Sequence, residues 1–163
     1  MSSQVLSAQE VLAGAGLPDT AWVRFLRAHA ALTRELSSRL EALHELTLSD
    51  FDVLVQLYYA DGRRMRRIDL ARSVLLTASG ITRLLDGLES CGLVAKERCD
   101  SDARVTYAVL TKAGVKKIEE ARESHLADIE ELFGAQFSAD EREQLAELLG
   151  RLPLAHTSEA CST

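Results

Sequence analysis

The sequence has few of the residues that mark several classes of protein. Its two prolines, Pro18 and Pro153, lie near the ends, and a long stretch without proline favours helices. Its three cysteines include no C-x-x-C pair, which argues against a disulfide framework and a four-ligand zinc site. No apolar run approaches the roughly 20 residues that a membrane-spanning helix needs. No secretion signal is recognisable near the N-terminus, so we expect a cytoplasmic protein without a membrane partner.

Catalytic motifs are missing as well. The chain has no Ser/His/Asp arrangement, no phosphate-binding loop and no metal-binding motif, and its four histidines are scattered. We therefore expect neither an enzyme nor a metal or cofactor site. Hydrophobic residues make up 47% of the chain and charged residues 27%, which is enough apolar material for a packed core.

Positive charge is gathered in one segment of this acidic chain. Residues 62–117 contain 12 Lys and Arg against 6 Asp and Glu, a local net charge of +6, while the whole chain carries −6. Phosphate contacts dominate the affinity of proteins for DNA and need local positive charge. The segment therefore indicates a nucleic-acid contact, and the alternative is a solvated loop region that happens to be basic.

Long amphipathic helices are predicted at both ends of the chain. Apolar residues recur every three or four positions over residues 19–46, and again over residues 112–152. These helices have more apolar surface than one small domain can cover, so we expect a homodimer. The alternative is that they pack on each other within a monomer. Residues 1–18 are expected to form a flexible or short helical arm, and residues 153–163 a disordered tail.

Residues 47–111 between these helices predict a compact DNA-binding domain. Thr47 is typical of an N-cap, and Gly62 is expected to end the helix that Thr47 opens. A short helix over residues 69–74 and a longer one over residues 77–90 then form a helix-turn-helix. The apolar period changes to two after this unit, which predicts a β-hairpin. The expected fold is mainly α (α+β), a winged helix-turn-helix flanked by dimerisation helices.

Several motifs resemble those of the multiple-antibiotic-resistance regulator (MarR) family. Asp102-Ala103-Arg104 and Leu110-Thr111 with Gly114 are similar to the D-x-R and L-T-x-x-G motifs of the family wing, and Gly92-Leu93-Val94 to its entry. The segment 79–89 resembles the family's recognition helix. The resemblance implies a dimer with entwined terminal helices that binds a palindromic operator. It usually implies repression relieved by a small ligand, often an aromatic carboxylate.

The residues expected to contact double-stranded DNA fall into three groups. A recognition helix enters the major groove with its N-terminal part, which here carries Ala78, Ser79, Thr82 and Arg83. The guanidinium of Arg83 matches the acceptors of guanine, although it is alternatively a phosphate contact or an exposed charge. In the wing, Arg104 is expected to enter the minor groove, held by Asp102. The expected phosphate contacts are Arg63, Arg64, Arg66, Arg67 and Arg72.

Two histidines and one cysteine are candidates for sensing. His29 and His125 fall on the inward stripes of the long helices, and a possible ligand pocket comprises Trp22, His29, Tyr58 and His125. The alternative is a pair of satisfied core histidines. Cys99, beside Arg98, is a possible redox thiol, whereas Cys91 is expected in the core.

The expected function is therefore that of a ligand-responsive transcriptional repressor. Three alternatives stay open: an architectural DNA-binding protein without an effector, a thiol-based redox regulator, and a protein-interaction module that has lost DNA binding.

Overall fold

The computed structural model describes residues 20–74, 78–98 and 105–152, with only the backbone for Thr20, Ala78 and Ser79. The chain divides into two compact units, Met1–Glu35 and Leu36–Thr163. The helices of the described residues are α1 (Thr20–His44), α2 (Leu48–Tyr59), α3 (Arg67–Ser73), α4 (Ala78–Ser90), α5 (Lys112–Leu132) and α6 (Ala139–Gly150). The strands are β1 (Arg64–Arg66), β2 (Val94–Arg98) and β3 (Thr106–Leu110).

Helix α1 begins and ends within two residues of the predicted bounds, and the boundary between the two units falls inside it. In the first unit, Trp22, Phe25 and His29 follow one another along this helix at spacings of three and four. Their ring centroids are 6.3 Å apart in each neighbouring pair. All three side chains are exposed in the single chain, so the inward position of His29 stays a prediction. The apolar period of a helix identifies a face, but it does not identify what covers that face.

Helix α2 begins where its cap was predicted and ends earlier than expected. The Thr47 hydroxyl accepts from the Asp50 backbone N–H, and the Asp50 carboxylate accepts from that of Thr47, which completes a capping box. The helix ends at Tyr59 because Ala60 is extended, with φ −68° and ψ 149°. Gly62 is therefore not the helix cap. It lies in a following 3₁₀ turn with φ +60°, a left-handed conformation that favours glycine.

The basic stretch after this turn contains a strand that the sequence analysis did not predict. Strand β1 pairs antiparallel with β3, and the sheet order is β1-β3-β2. In this register Met65 lies opposite Ala108 and is half-buried, while the arginines on either side of it are exposed. Three residues are too few for an alternating pattern to be recognised.

The helix-turn-helix consists of α3 and α4. Helix α3 begins at Arg67, two residues before the prediction, and Arg66 precedes it without a side-chain cap. The predicted cap of α4, Thr77, lies outside the described residues. Helix α4 buries Ile81, Leu85 and Leu88, and Gly92 follows it with φ +71°.

The predicted hairpin and C-terminal helices are present. Strands β2 and β3 pair antiparallel, with Val94 opposite Leu110 and Arg98 opposite Thr106. Ser138 and Glu141 form the predicted capping box of α6. The predicted N-terminal arm and C-terminal tail lie outside the described residues, and the division into functional segments stays a prediction.

The core of the second unit gathers side chains from each of its α-helices except α6. It is centred on α2, whose Val53, Leu54 and Leu57 are fully buried. Five other elements contribute almost fully buried side chains: Leu40 of α1, Leu70 of α3, Ile81 and Leu85 of α4, Ala108 of β3 and Ile118 of α5. The helix-turn-helix is therefore attached through α2 to the long C-terminal helix α5.

Candidate nucleic-acid interface

The recognition helix α4 buries one face and exposes the opposite one. Arg83 lies between the buried Ile81 and Leu85 in sequence, and its side chain is exposed. It makes no hydrogen bond or ion pair with the described residues, so its guanidinium is available to an external acceptor. Thr82 is half-buried, and its hydroxyl oxygen lies 3.4 Å from Nη1 of Arg67, which donates to it. The side chains of Ala78 and Ser79 lie outside the described residues.

All five arginines predicted to contact phosphates are exposed. Two of them pack on aromatic rings: the guanidinium of Arg63 lies 5.2 Å from the ring centroid of Tyr58, and that of Arg64 lies 4.9 Å from that of Tyr107. Arg64 also forms a long ion pair with Glu97, at 3.9 Å. Aromatic rings attract cations and restrict their movement. All five arginines lie on elements that precede α4, namely the 3₁₀ turn, strand β1 and helix α3.

Three residues of the predicted wing lie outside the described residues, namely Cys99, Asp102 and Arg104. Their roles stay predictions. Of the other two cysteines, Cys91 was expected in the core, and this is wrong because its side chain is exposed. It directly follows the last residue of α4, where the chain turns at Gly92.

The base of the wing is fixed to the N-terminus of α5 by Thr111 and Gly114. The Thr111 hydroxyl donates to the carbonyl of Gly92 at 2.7 Å, while its oxygen accepts from the Gly114 N–H at 3.0 Å. The Thr111 N–H also donates to the Leu93 carbonyl at 3.1 Å. A Cβ on Gly114 would lie 2.1 Å from that carbonyl oxygen, so only glycine allows this close approach. The Thr111 and Gly114 pattern is thus a packing requirement of the wing.

A contact between the wing and the recognition helix was missed by the sequence analysis. Nζ of Lys96 on β2 pairs with the carboxylates of Asp86 and Glu89 on α4, with the Glu89 oxygen at 2.7 Å. The bonds to Asp86 and then Glu89 raise the pKa of Lys96. The two acids are three residues apart near the end of α4, so they share one helix face. This spacing is a signal, but the sequence alone does not reveal which cation faces it.

Two residues of the predicted ligand pocket lie in the second unit and have different surroundings. Tyr58 on α2 donates its hydroxyl proton to the Glu119 carboxylate at 3.0 Å, and this bond is the largest cause that raises the pKa of Tyr58. Beside it is a cavity of about 10 Å³, enough for about one water molecule. His125 on α5 is 6% exposed, and its ring centroid lies 4.4 Å from that of Phe51. The pocket stays a prediction.

His125 is a core histidine, but it is not a satisfied one. Its Nδ1 has no hydrogen-bond partner among the described residues. Burial lowers the pKa of His125, and the charge of Asp128 offsets part of this effect. Asp128 itself is ion-paired with Arg39 at 2.7 Å. Burial thus disfavours the charged form of this ring.

Residues 20–74, 78–98 and 105–152 contain no group of three or more potential metal ligands. None of the helices in these ranges is long and apolar enough to cross a membrane.

Comparisons with known proteins agree with this architecture. The family model described as MarR family matches residues 46–106. The chain is 31% identical over 121 residues to the uncharacterized HTH-type transcriptional regulator YdgJ of Bacillus subtilis, covering 74% of this chain and 72% of that protein.

Two solved structures are similar as well. One is AbsC, a MarR family transcriptional regulator from Streptomyces coelicolor, with 28% identity, a TM-score of 0.75, and 90% of this chain and 93% of that chain covered. The other is MepR of Staphylococcus aureus in a complex with DNA, with 26% identity, a TM-score of 0.70, and 82% and 99% covered. Such proteins are DNA-binding regulators and not enzymes. The chain described here belongs to the MarR family of winged helix-turn-helix transcriptional regulators.

Proposed function

We propose that this regulator binds a palindromic operator as a homodimer, represses transcription, and is released by a small aromatic or acidic ligand. The observation that carries the proposal is the exposed guanidinium of Arg83, which makes no ion pair within the described part of the chain. It lies on a recognition helix whose other face is buried in the core. A rigid helix with a free fork of donors is suited to read guanine in the major groove. Thr82, with Ala78 and Ser79 at the helix start, completes the reading surface.

The neighbouring arginines supply the phosphate contacts of this proposal. Arg63, Arg64, Arg66, Arg67 and Arg72 are all exposed on the elements that lead into α4. Such contacts position a protein on the duplex without reading its sequence. Arg104, with Asp102 two residues before it in the chain, then enters the minor groove from the wing.

Uncovered apolar side chains support the homodimer. Helix α6 buries no residue in this chain, and its Leu148 is 54% exposed. Leu126 on α5 is 52% exposed, and Trp22 on α1 is 46% exposed. A two-fold partner would cover these residues and present two recognition helices to half-sites one helical turn apart. The operator is therefore a palindrome in this proposal.

The link between Tyr58 and Arg63 supports release by a ligand. The phenol of Tyr58 is bonded to Glu119 on α5, while its ring carries the guanidinium of Arg63. An aromatic or acidic ligand that competes for Tyr58 would displace Arg63 and thereby weaken a phosphate contact. A repressor released in this way leaves the promoter open.

The test uses fluorescence anisotropy with a duplex that the protein selects from a random pool, and with a scrambled duplex of equal length. Arg83→Ala should weaken binding to the selected duplex by about 1–3 kcal/mol and relax its sequence preference. Arg151→Ala is the matched control, since Arg151 is an exposed arginine of the C-terminal region paired with Glu147. An equal loss on both duplexes would refute base reading by Arg83.

Footprinting of the same complex tests the operator. One or two protected palindromes are expected, whereas extended coverage would favour an architectural protein. Aromatic acids should then lower the affinity of the protein for the operator. An affinity that none of these acids changes would contradict release by such a ligand.

A further inference from the structure

The C-terminal half of the recognition helix carries more negative than positive charge. Arg83 is the single base of α4, while Asp86 and Glu89 are its acids. Both acids lie in the last two turns, where the helix dipole disfavours negative charge. The last turn of α4 contains no basic residue of its own. A cation from another element would therefore stabilise this end of the helix.

Strand β2 supplies that cation. The side chain of Lys96 is 33% exposed, and its ammonium group bonds to both carboxylates at once. Lys96 lies opposite Ala108 of β3, in the middle of the hairpin, so the pairing joins the recognition helix to the strands that carry the wing. Thr111 and Gly114 fix the base of the same hairpin to the N-terminus of α5. The hairpin is thus held at its base and at its middle.

We propose that Lys96 is a positioning residue for DNA binding, which sets the orientation of the recognition helix relative to the wing by holding Asp86 and Glu89. The inference rests on the proposed function, because it concerns how two reading elements reach neighbouring grooves together. Exposed ion pairs add little to the free energy of unfolding. The contribution of Lys96 is therefore geometric, and its loss leaves the chain folded.

Positioning and simple charge screening predict opposite results for one double variant. If Lys96 acts through the two acids, then Asp86→Asn with Glu89→Gln releases the helix as effectively as Lys96→Met does. Both changes then weaken binding to the selected duplex. If Lys96 only screened the acids from the phosphates, removal of the acids would strengthen binding.

The experiment measures the affinity of each variant for the selected and the scrambled duplex. We expect Lys96→Met to weaken binding to the selected duplex about tenfold, within the range of coupled neighbours, and to change binding to the scrambled duplex less. The acid double variant should show the same loss, and the triple variant no further loss. Lys96→Arg should restore the affinity, because a guanidinium also donates to two carboxylates.

The matched control is Lys116→Met on α5. Lys116 is 80% exposed and pairs with Glu120 one turn along the same helix, so this change removes the same charge without touching α4. It should leave the ratio of the two affinities unchanged. Unfolding midpoints of all variants should stay near that of the parent protein, which separates positioning from misfolding.

Each contrary result has a definite meaning. Three results would overturn the positioning role while the proposed function stands. They are tighter DNA binding by the acid double variant, a further loss of affinity in the triple variant, and an unchanged ratio of the two affinities for Lys96→Met. Equal affinity of the parent protein for both duplexes would instead overturn the proposed function, and this inference with it.

Discussion

Helices α2 and α6 begin with the same capping motif but differ in how much of their surface is buried. Each has 12 residues and opens with a complete capping box, from Thr47 and Asp50 or from Ser138 and Glu141. Helix α2 buries four residues, whereas α6 buries none within this chain. Capping and propensity therefore explain why both segments are helical, but not what they pack against. Helix α2 organises the core of the second unit, whereas α6 is left for the partner subunit of the proposed homodimer to cover.

The largest expected difference in unfolding free energy is between a glycine of the closely packed wing base and a glycine of the uncovered helix α6. Gly114→Ala puts a Cβ 2.1 Å from the Leu93 carbonyl, which is fixed by its bond to Thr111, so we expect a loss of about 4–5 kcal/mol in unfolding free energy. Gly150→Ala at the end of α6 meets nothing within 4 Å and should be neutral or stabilising by up to about 1 kcal/mol. Urea denaturation measures both. Equal effects would contradict the close packing at the wing base.

A smaller contrast is expected between two leucines. Leu54 on α2 is 0% exposed, and Leu54→Ala should cost about 2–5 kcal/mol because it leaves a cavity. Leu148 on α6 is 54% exposed, and Leu148→Ala should lower stability only through self-association, so its effect should depend on protein concentration. Denaturation at several concentrations separates the two. A concentration-independent loss for Leu148→Ala would argue against the partner subunit.

Substitutions of the two N-cap residues should differ still less in their effect on the free energy of unfolding. Thr47→Ala should cost about 1 kcal/mol of global stability, since α2 cannot fray without loosening the core. Ser138→Ala should instead speed amide exchange within α6 and leave that of α2 unchanged. Thr47→Ser serves as the control because serine keeps the acceptor. Global loss from Ser138→Ala would show that α6 unfolds together with the core.

The smallest expected effect is a loss of unfolding free energy at low pH. It arises from His125 in the core of the second unit and not from α6. Burial keeps the pKa of His125 below its ordinary value of 6.5, so the unfolded chain binds this proton more readily than the folded one. Stability should therefore be full above about pH 6.5 and decline as the pH falls below it. Unfolding midpoints of the parent protein and of His125→Leu should diverge in this range. The exposed His29→Gln should follow the parent protein, and a parallel decline in all three would exclude His125 as the cause.

Local signals predicted most of the fold. The capping residues at Thr47 and Ser138, the period of α1 and the alternation around the wing all depend on near neighbours in sequence. Strand β1 was missed because its partner is β3, far along the chain. Cys91 was wrongly expected in the core: it lies beyond the end of α4, and its side chain is exposed.

The candidate site was predicted in part for the same reason. Arg83 follows from the face of α4 opposite Ile81 and Leu85, and it is exposed as that reasoning requires. Lys96 was missed because its role depends on the packing of β2 against α4. The two helical acids are visible in the sequence, but their cation is brought to them only by the tertiary fold.

Analytical ultracentrifugation with a fluorescent selected duplex tests the central claim most directly. Free homodimer should sediment with a molar mass twice that of the 17.9 kDa chain, and one duplex should carry two chains at saturation. Free protein at the mass of one chain, together with no binding to duplex DNA even in dilute salt, would contradict that claim.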